Sequence, residues 1–402
     1  MIQINNKHKY YFYTSLLLLT FILLFKATCS LSISYKEALN VFVNNSVLSL
    51  ITNTSIYIFG QNDFALRFPF ILFYILSVIM MFKITEDYFK YEKDRYIFIA
   101  VFMSLPGIIG ASLLVNSAIV VTFFTLVFLY FHKKKSNPYF LYFLLLLFLF
   151  IDNSFAILYL ALFFYSLENK NKNLQYISFI LFALSMLIYG FSSDGKPRGF
   201  LIDTFGLYST IFSPFLFFYF LYSVYRAGIK NERTLNWYIS ATALFISLIF
   251  SFRQKVYLED FAPYVVISLP YMLKIFFHSY RVRLKEFRKS YNILAILVIF
   301  MLAMNVILTF VNKPLYLVLS NPSKHFIYQY DFIKELAEEL KKRDITSLIT
   351  DNQELELRLK FYNIQKGDDY FLSLKKYNID SEKISMKYYD KELFVVYLTK
   401  LK

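Results

Sequence analysis

Residues 30–69 read SLSISYKEALNVFVNNSVLSLITNTSIYIFGQNDFALRFP, and they lie between an apolar run at 11–25 and another at 70–82. This stretch is too polar and too often interrupted to cross a bilayer, yet too apolar for a free loop. Leu39, Phe42, Val43, Val47, Leu48, Leu50 and Ile51 recur near helical spacing, which predicts amphipathic helices lying along a membrane face. Glu37 stands at its head and Arg67 at its tail. The reading is a surface loop, 27–67, that carries chemistry and is framed by lipid-facing spans.

Working outward, the whole chain has 402 residues, 57% of them hydrophobic and 21% aromatic, including 48 Phe and 35 Tyr. A soluble domain cannot hide that much apolar surface, so a polytopic membrane protein is expected. The formal charge of +15 does not point to nucleic acid, because the Lys and Arg residues are scattered through short loops between apolar runs. That scatter is the signature of loops retained on the cytoplasmic side. The single cysteine, Cys29, cannot form an internal disulfide. The N-terminal apolar run reads as a retained first span rather than a cleaved leader. Heavy use of Lys, Asn, Ile, Phe and Tyr suggests an AT-rich, bacterial genome, and so a bacterial inner (cytoplasmic) membrane.

Lys7 and Lys9 place the N-terminus inside, and the loop at 27–67 outside. A span at 68–84 returns to Lys83, Lys90, Lys93 and Arg95 on the inside. The next, from residue 96, is interrupted by Pro106, Gly107 and Gly110; such breaks are tolerated at membrane depth only where the freed backbone is enclosed. Runs at 112–131, 139–151, 155–167, 174–190, 208–225, 235–252, 264–277 and 293–311 follow. With about eleven spans every Lys-rich short loop falls on one side, the strongest being Arg281 to Lys289. The fold class expected is mainly α: a transmembrane bundle over 1–311, then a small soluble α/β tail over 312–402 on the outer (periplasmic or extracellular) face. In that tail residues 331–343 pattern as an amphipathic helix, ITSLITD as a strand and QELELRLKFYNI as a helix. YFLSL, EKISMKYY and ELFVVYLTK read as strands.

Ionisable groups beside spans cost about 2.5–3.5 kcal/mol at a span centre, so charges near the outer face that topology does not need are the functional candidates. They are Glu37, Arg67, Asp152, Asp194, Lys196, Arg198, Asp203, Arg253, Lys255, Glu259 and Asp260. Acids here can serve as a general base and cations as a phosphate clamp. Each has a plainer role beside it: Glu37 as a solvated helix-face acid, Arg67 as a snorkelling anchor, Arg253 and Lys255 as interfacial anchors. The four His residues are far apart in sequence, and no Gly-rich nucleotide fingerprint occurs.

SYKEAL followed by IYIFGQNDFALRFPFILFYIL resembles the opening of GT-C membrane glycosyltransferases. These are the polyprenyl-phosphate-sugar-dependent enzymes of family 39 and the aminoarabinose-transferase type. Gly60, Arg67 and Pro69 match a phrase of their first outer loop, LPGIIGASLLVNSAIVVTFFTLVFLYF is similar to their third and fourth spans, and RQKVYLEDFAPYVVI to a late outer loop. The resemblance covers about residues 10–310 and implies a GT-C-like bundle. It also implies inverting transfer of a hexosyl or pentosyl unit from a polyprenyl-phosphate donor to an outer-face glycan, lipid or protein. In that scheme Glu37 is the base, Asp152 a second acid, and Asn116 stands where relatives carry Asp. Arg253, Lys255 and the Tyr257 hydroxyl would hold the donor phosphate, with Arg67, Lys196 and Arg198 behind them. The resemblance requires no metal site, while leaving a divalent cation open. Two other readings stay open: a transporter or flippase of lipid-linked sugars, and a non-catalytic GT-C relative acting as an envelope scaffold, which Lys36 and Asn116 keep in play.

Overall fold

The structure is a computed structural model that describes residues 6–190, 199–230, 232–377 and 381–401. Helices dominate it, and a four-stranded sheet lies towards the C-terminus. After α1 (Asn6–Ser30) the loop folds as two short helices, α2 (Tyr35–Phe42) and α3 (Val47–Phe59). Ser34 and Ser46 start them, each side chain accepting a backbone N–H of the first turn. Short polar residues between them favour a cap over a continued helix. Gly60 ends α3 with φ of +81°, a conformation costly for a residue with a side chain.

α4 (Asp63–Ile84) contains Pro69. Proline lacks the N–H that would bond the carbonyl four residues back. That carbonyl, on Ala65, instead accepts the Ser55 hydroxyl at 2.6 Å. The break foreseen at Pro106 is present: α5 (Glu92–Met103) and α6 (Pro106–Leu113) meet at 50°. α7 (Ser117–Lys133), α8 (Pro138–Phe148), α9 (Phe155–Glu168) and α10 (Lys172–Tyr189) follow. The run expected as one span at 208–225 is instead two helices, α11 (Leu201–Phe212) and α12 (Pro214–Ile229), bent by 104°. Pro214 explains the bend, because a proline disfavours helical backbone in the residue before it. Ser213 leaves the helical region there, with a φ of +81° that a proline neighbour does not itself require. α13 (Leu235–Ser251), α14 (Leu258–Val266), α15 (Leu269–Val282) and α16 (Lys289–Phe310) complete the helical part.

Among the described residues five helices are long and apolar enough to cross a membrane, or seven if each bent pair counts as one span. α7, α8, α9 and α13 are apolar but shorter. Several apolar helices of this kind are compatible with a multi-pass membrane protein.

Beyond α16 come α17 (Leu315–Val318), α18 (Ile333–Lys342), β1 (Ser347–Thr350), α19 (Gln353–Phe361), β2 (Gln365–Ser373), β3 (Glu382–Tyr388) and β4 (Lys391–Lys400). The sheet runs β1-β2-β4-β3, parallel at β1/β2 and antiparallel elsewhere. Leu336 and Leu340 of α18, Leu355 and Leu359 of α19, and Leu372 and Val396 of the strands fill its core. The alternating and 3.6-period patterns of the tail sequence thus become the elements they imply.

Two compact units emerge. A bundle unit holds Met1–Leu18 and Phe70–Val306; a loop–tail unit holds Leu19–Pro69 and Ile307–Lys402. In the bundle unit α6 approaches α11 closely: a Cβ on Gly107 would lie 2.8 Å from Ile211 Cγ2 and 3.1 Å from Ile211 Cα. Gly107→Ala is therefore expected to cost about 1–3 kcal/mol by overpacking. A lowered thermal midpoint of the detergent-solubilised chain would register it, and an unchanged midpoint would mean the two helices separate without cost.

Candidate functional site

In the loop–tail unit Glu37 and Arg67 are joined. Arg67 is 0% exposed and Glu37 2%. Arg67 Nε donates to Glu37 Oε1 at 3.1 Å and Nη2 to Oε2 at 2.8 Å, a two-pronged match of guanidinium to carboxylate. The remaining donors reach main-chain oxygens: Nη1 to Thr28 at 3.3 Å and Leu31 at 2.8 Å, Nη2 to Ser32 at 2.8 Å. A guanidinium carries five N–H groups, and these contacts engage all of them. Arg67 therefore closes the C-terminal end of α1, where carbonyls lack helical partners.

Glu37 is equally occupied. Its Oε2 also accepts the Ser34 N–H at 2.9 Å and the Ser34 hydroxyl at 3.1 Å, completing a capping box at the start of α2. The carboxylate that sequence marks as a base thus links α2 to α4 through Arg67, a latch between the two helices.

Around the latch, Asp63 accepts the Tyr362 hydroxyl at 2.6 Å and pairs with Lys334 at 3.1 Å. Tyr362 in turn accepts the Ile33 N–H at 3.0 Å. Burial, and then the charge of Asp63, raise the Tyr362 phenol above its ordinary value, so it stays a donor. Arg358 is buried and donates to the main-chain oxygens of Ile33 and Gln329, both at 2.8 Å. Burial holds its pKa below the usual arginine value, with Glu354 opposing. These bonds tie the loop at 31–37 to α19 and the segment before α18.

Asp331 supplies a pH dependence. Burial raises its pKa above the ordinary carboxylate value, against the lowering effect of the Tyr316 hydroxyl that donates to it at 2.8 Å. For an acid raised in the folded state the stabilising contribution is full below the unfolded pKa and is lost as pH rises through the folded one. Asp331→Asn keeps an acceptor for Tyr316 and carries no charge. The variant is expected to lose less stability than wild type as pH climbs from the carboxylate range towards neutrality. Thermal melts across that window are the check, and parallel curves would exclude the assignment.

The bundle unit holds the other candidates. Asn116 is the N-cap of α7, accepting the Ala118 N–H at 2.7 Å. Asp152 sits at the tip between α8 and α9 and accepts the Ser154 N–H at 2.9 Å. Tyr264 of α14 donates to the Ser154 carbonyl at 2.9 Å. Asp260 lies one helical turn before Tyr264, on the same face. That brings its carboxylate within electrostatic reach of Asp152 and of its neighbour Glu259. Arg253, Lys255 and Tyr257 are exposed on the connection from α13 to α14. Lys196 and Arg198 lie outside the described residues. Among the described residues no three His, Cys, Asp or Glu side chains converge as metal ligands.

The structure thus joins Glu37 to Arg67 in one unit, and in the other the Tyr264–Ser154 bond brings the helix that carries Asp260 to the tip that carries Asp152. Asp63, Arg358 and Tyr362 were not singled out from the sequence, and Asp260 appeared only among many outer charges. The turn spacing of Asp260 and Tyr264 was the one visible hint, and nothing local tied it to Asp152. No protein-family model matches the chain, and comparison with curated proteins also gives no match.

Proposed function

We propose that this chain is an integral membrane glycosyltransferase of GT-C type, moving a sugar from a polyprenyl-phosphate donor to a glycan, lipid or protein acceptor on the outer face. The observation that carries this reading is the Tyr264–Ser154 bond that brings the helix bearing Asp260 to the tip bearing Asp152, preceded on the α13–α14 connection by the exposed cations Arg253 and Lys255. The Lys and Arg distribution assigns all of these to the outer side. Asp260 takes the proton from the acceptor hydroxyl or amine as that atom attacks the anomeric carbon. The carbon–oxygen bond to phosphate breaks, and polyprenyl phosphate leaves with the electron pair, inverting the centre. Asp152 stabilises positive charge on the sugar ring, while Arg253 and Lys255 meet the charge growing on phosphate.

Glu37 and Arg67 have their lone pairs and donors engaged, so in this scheme they hold the loop rather than react. The finer count of eleven spans is reached if α7, α8, α9 and α13 also cross, with the bilayer locally thinned around them. A bacterial cytoplasmic membrane, with the N-terminus inside and the tail outside, follows from the same loop charges.

A second reading, transport of lipid-linked sugar, is favoured by one observation: two helix pairs are bent, at 50° and 104°, and broken helices are a feature of transporters. The full-length chain in proteoliposomes, supplied with labelled polyprenyl-phosphate sugars and envelope glycan, lipid and peptide acceptors, separates the two. Release of polyprenyl phosphate with label on an acceptor is expected. Intact donor appearing in the opposite leaflet would replace transfer with transport.

A further inference from the structure

The bundle unit contains a cavity of about 720 Å³ formed by the α4–α5 and α12–α13 connections and α15. Six cations line it: Lys90, Arg226, Lys230, Arg233, Lys274 and Arg281, against the acids Asp94 and Glu232. Arg281 is held by Asp94 through both carboxylate oxygens, and Arg233 pairs with Glu168 at 3.3 Å. Arg226 donates to two neutral hydroxyls, Ser279 at 2.7 Å and Tyr222 at 3.2 Å. Lys274 stands over the Tyr88 ring at 4.7 Å. Among the described residues Lys90, Lys230 and Lys274 have no carboxylate within 4.0 Å. Topology alone asks only that such residues lie in inner loops; it does not ask that separate segments aim them into one cavity. Concentrated positive charge of this kind focuses the field and draws in an anion.

A second feature adjoins it. Phe277 also lines an apolar groove with Val101, Leu216, Leu273, Ala295 and Val298, between α5, α12, α15 and α16. The window of α16 is only 6% buried, so one wall of this groove faces what the span reading makes lipid. We infer that cavity and groove together bind a lipid whose phosphate head carries net negative charge, its headgroup among Lys90, Lys230, Lys274 and Arg226 and its chain along α16. Charge complementarity selects the head and the shared Phe277 wall links it to the tail. A soluble phosphate would use the cavity and leave the groove idle. The inference stands independently of sugar transfer.

The test is native mass spectrometry of the full-length chain in detergent, titrated with dioleoyl phosphatidic acid, with dioleoyl phosphatidylcholine and inorganic pyrophosphate as separate arms. Phosphatidic acid should bind in preference to phosphatidylcholine and resist displacement by pyrophosphate. Lys230→Glu and Lys274→Glu, both at exposed positions, should each weaken it at least fivefold, because losing one basic residue beside an anionic lipid surface is worth about fivefold and the added carboxylate repels the head as well. Ala295→Trp, which fills the groove without touching charge, should weaken phosphatidic acid too. Several results would each overturn the inference: equal binding of phosphatidylcholine, ready displacement by pyrophosphate, no effect of Ala295→Trp, or an equal loss from the non-lining changes Lys134→Glu and Lys135→Glu.

Discussion

Replacing Arg67 by Met should lower the stability of the loop–tail unit by about 3–5 kcal/mol, the range for removing one partner of a buried ion pair. The cause is the partner left behind. Glu37 is 2% exposed, and without the guanidinium its charge keeps only the Ser34 contacts among those described above. Three main-chain oxygens at the end of α1 lose their donors at the same time. Met fills a similar volume, so the loss is electrostatic rather than a cavity. Adding Glu37→Gln to Arg67→Met should recover part of the loss, because no charge then remains buried alone. Urea titration of the full-length chain in detergent, with proteolysis of the loop as a second probe, measures both. A single variant as stable as wild type would show that the pair is not what holds α2 against α4.

Asp260→Asn should cut transfer by about 10²–10⁴-fold, the usual contribution of a positioned general base. The amide preserves size and one acceptor but cannot take a proton at neutral pH. Release of polyprenyl phosphate by full-length protein is the readout, with the thermal midpoint followed in parallel. Glu37→Gln should behave oppositely: a lowered midpoint, with rate lost only in step with folded protein. If Asp260→Asn kept the wild-type rate while Glu37→Gln abolished it without any change in midpoint, the base would be Glu37 and the role given to Asp260 would fall.

What the sequence determined by itself was whatever depends on near neighbours in the chain. Apolar runs marked the helices, Pro106 marked a break, and alternation in ELFVVYLTK marked a strand, because periods and missing N–H groups act within a few residues. The bend at Ser213 and Pro214 lies inside one apolar run, whose pattern alone predicts a single span. Only the tertiary structure shows what Glu37 touches. Its position in the loop was readable, but the pairing with Arg67 spans 30 positions, and the bond from Tyr362 to Asp63 spans 299. Tyr264 and Ser154, whose contact brings the helix of Asp260 to the tip of Asp152, are 110 positions apart. A carboxylate meant to stay free and one meant to be saturated look alike in sequence, since the donors that distinguish them arrive from segments brought near only by packing.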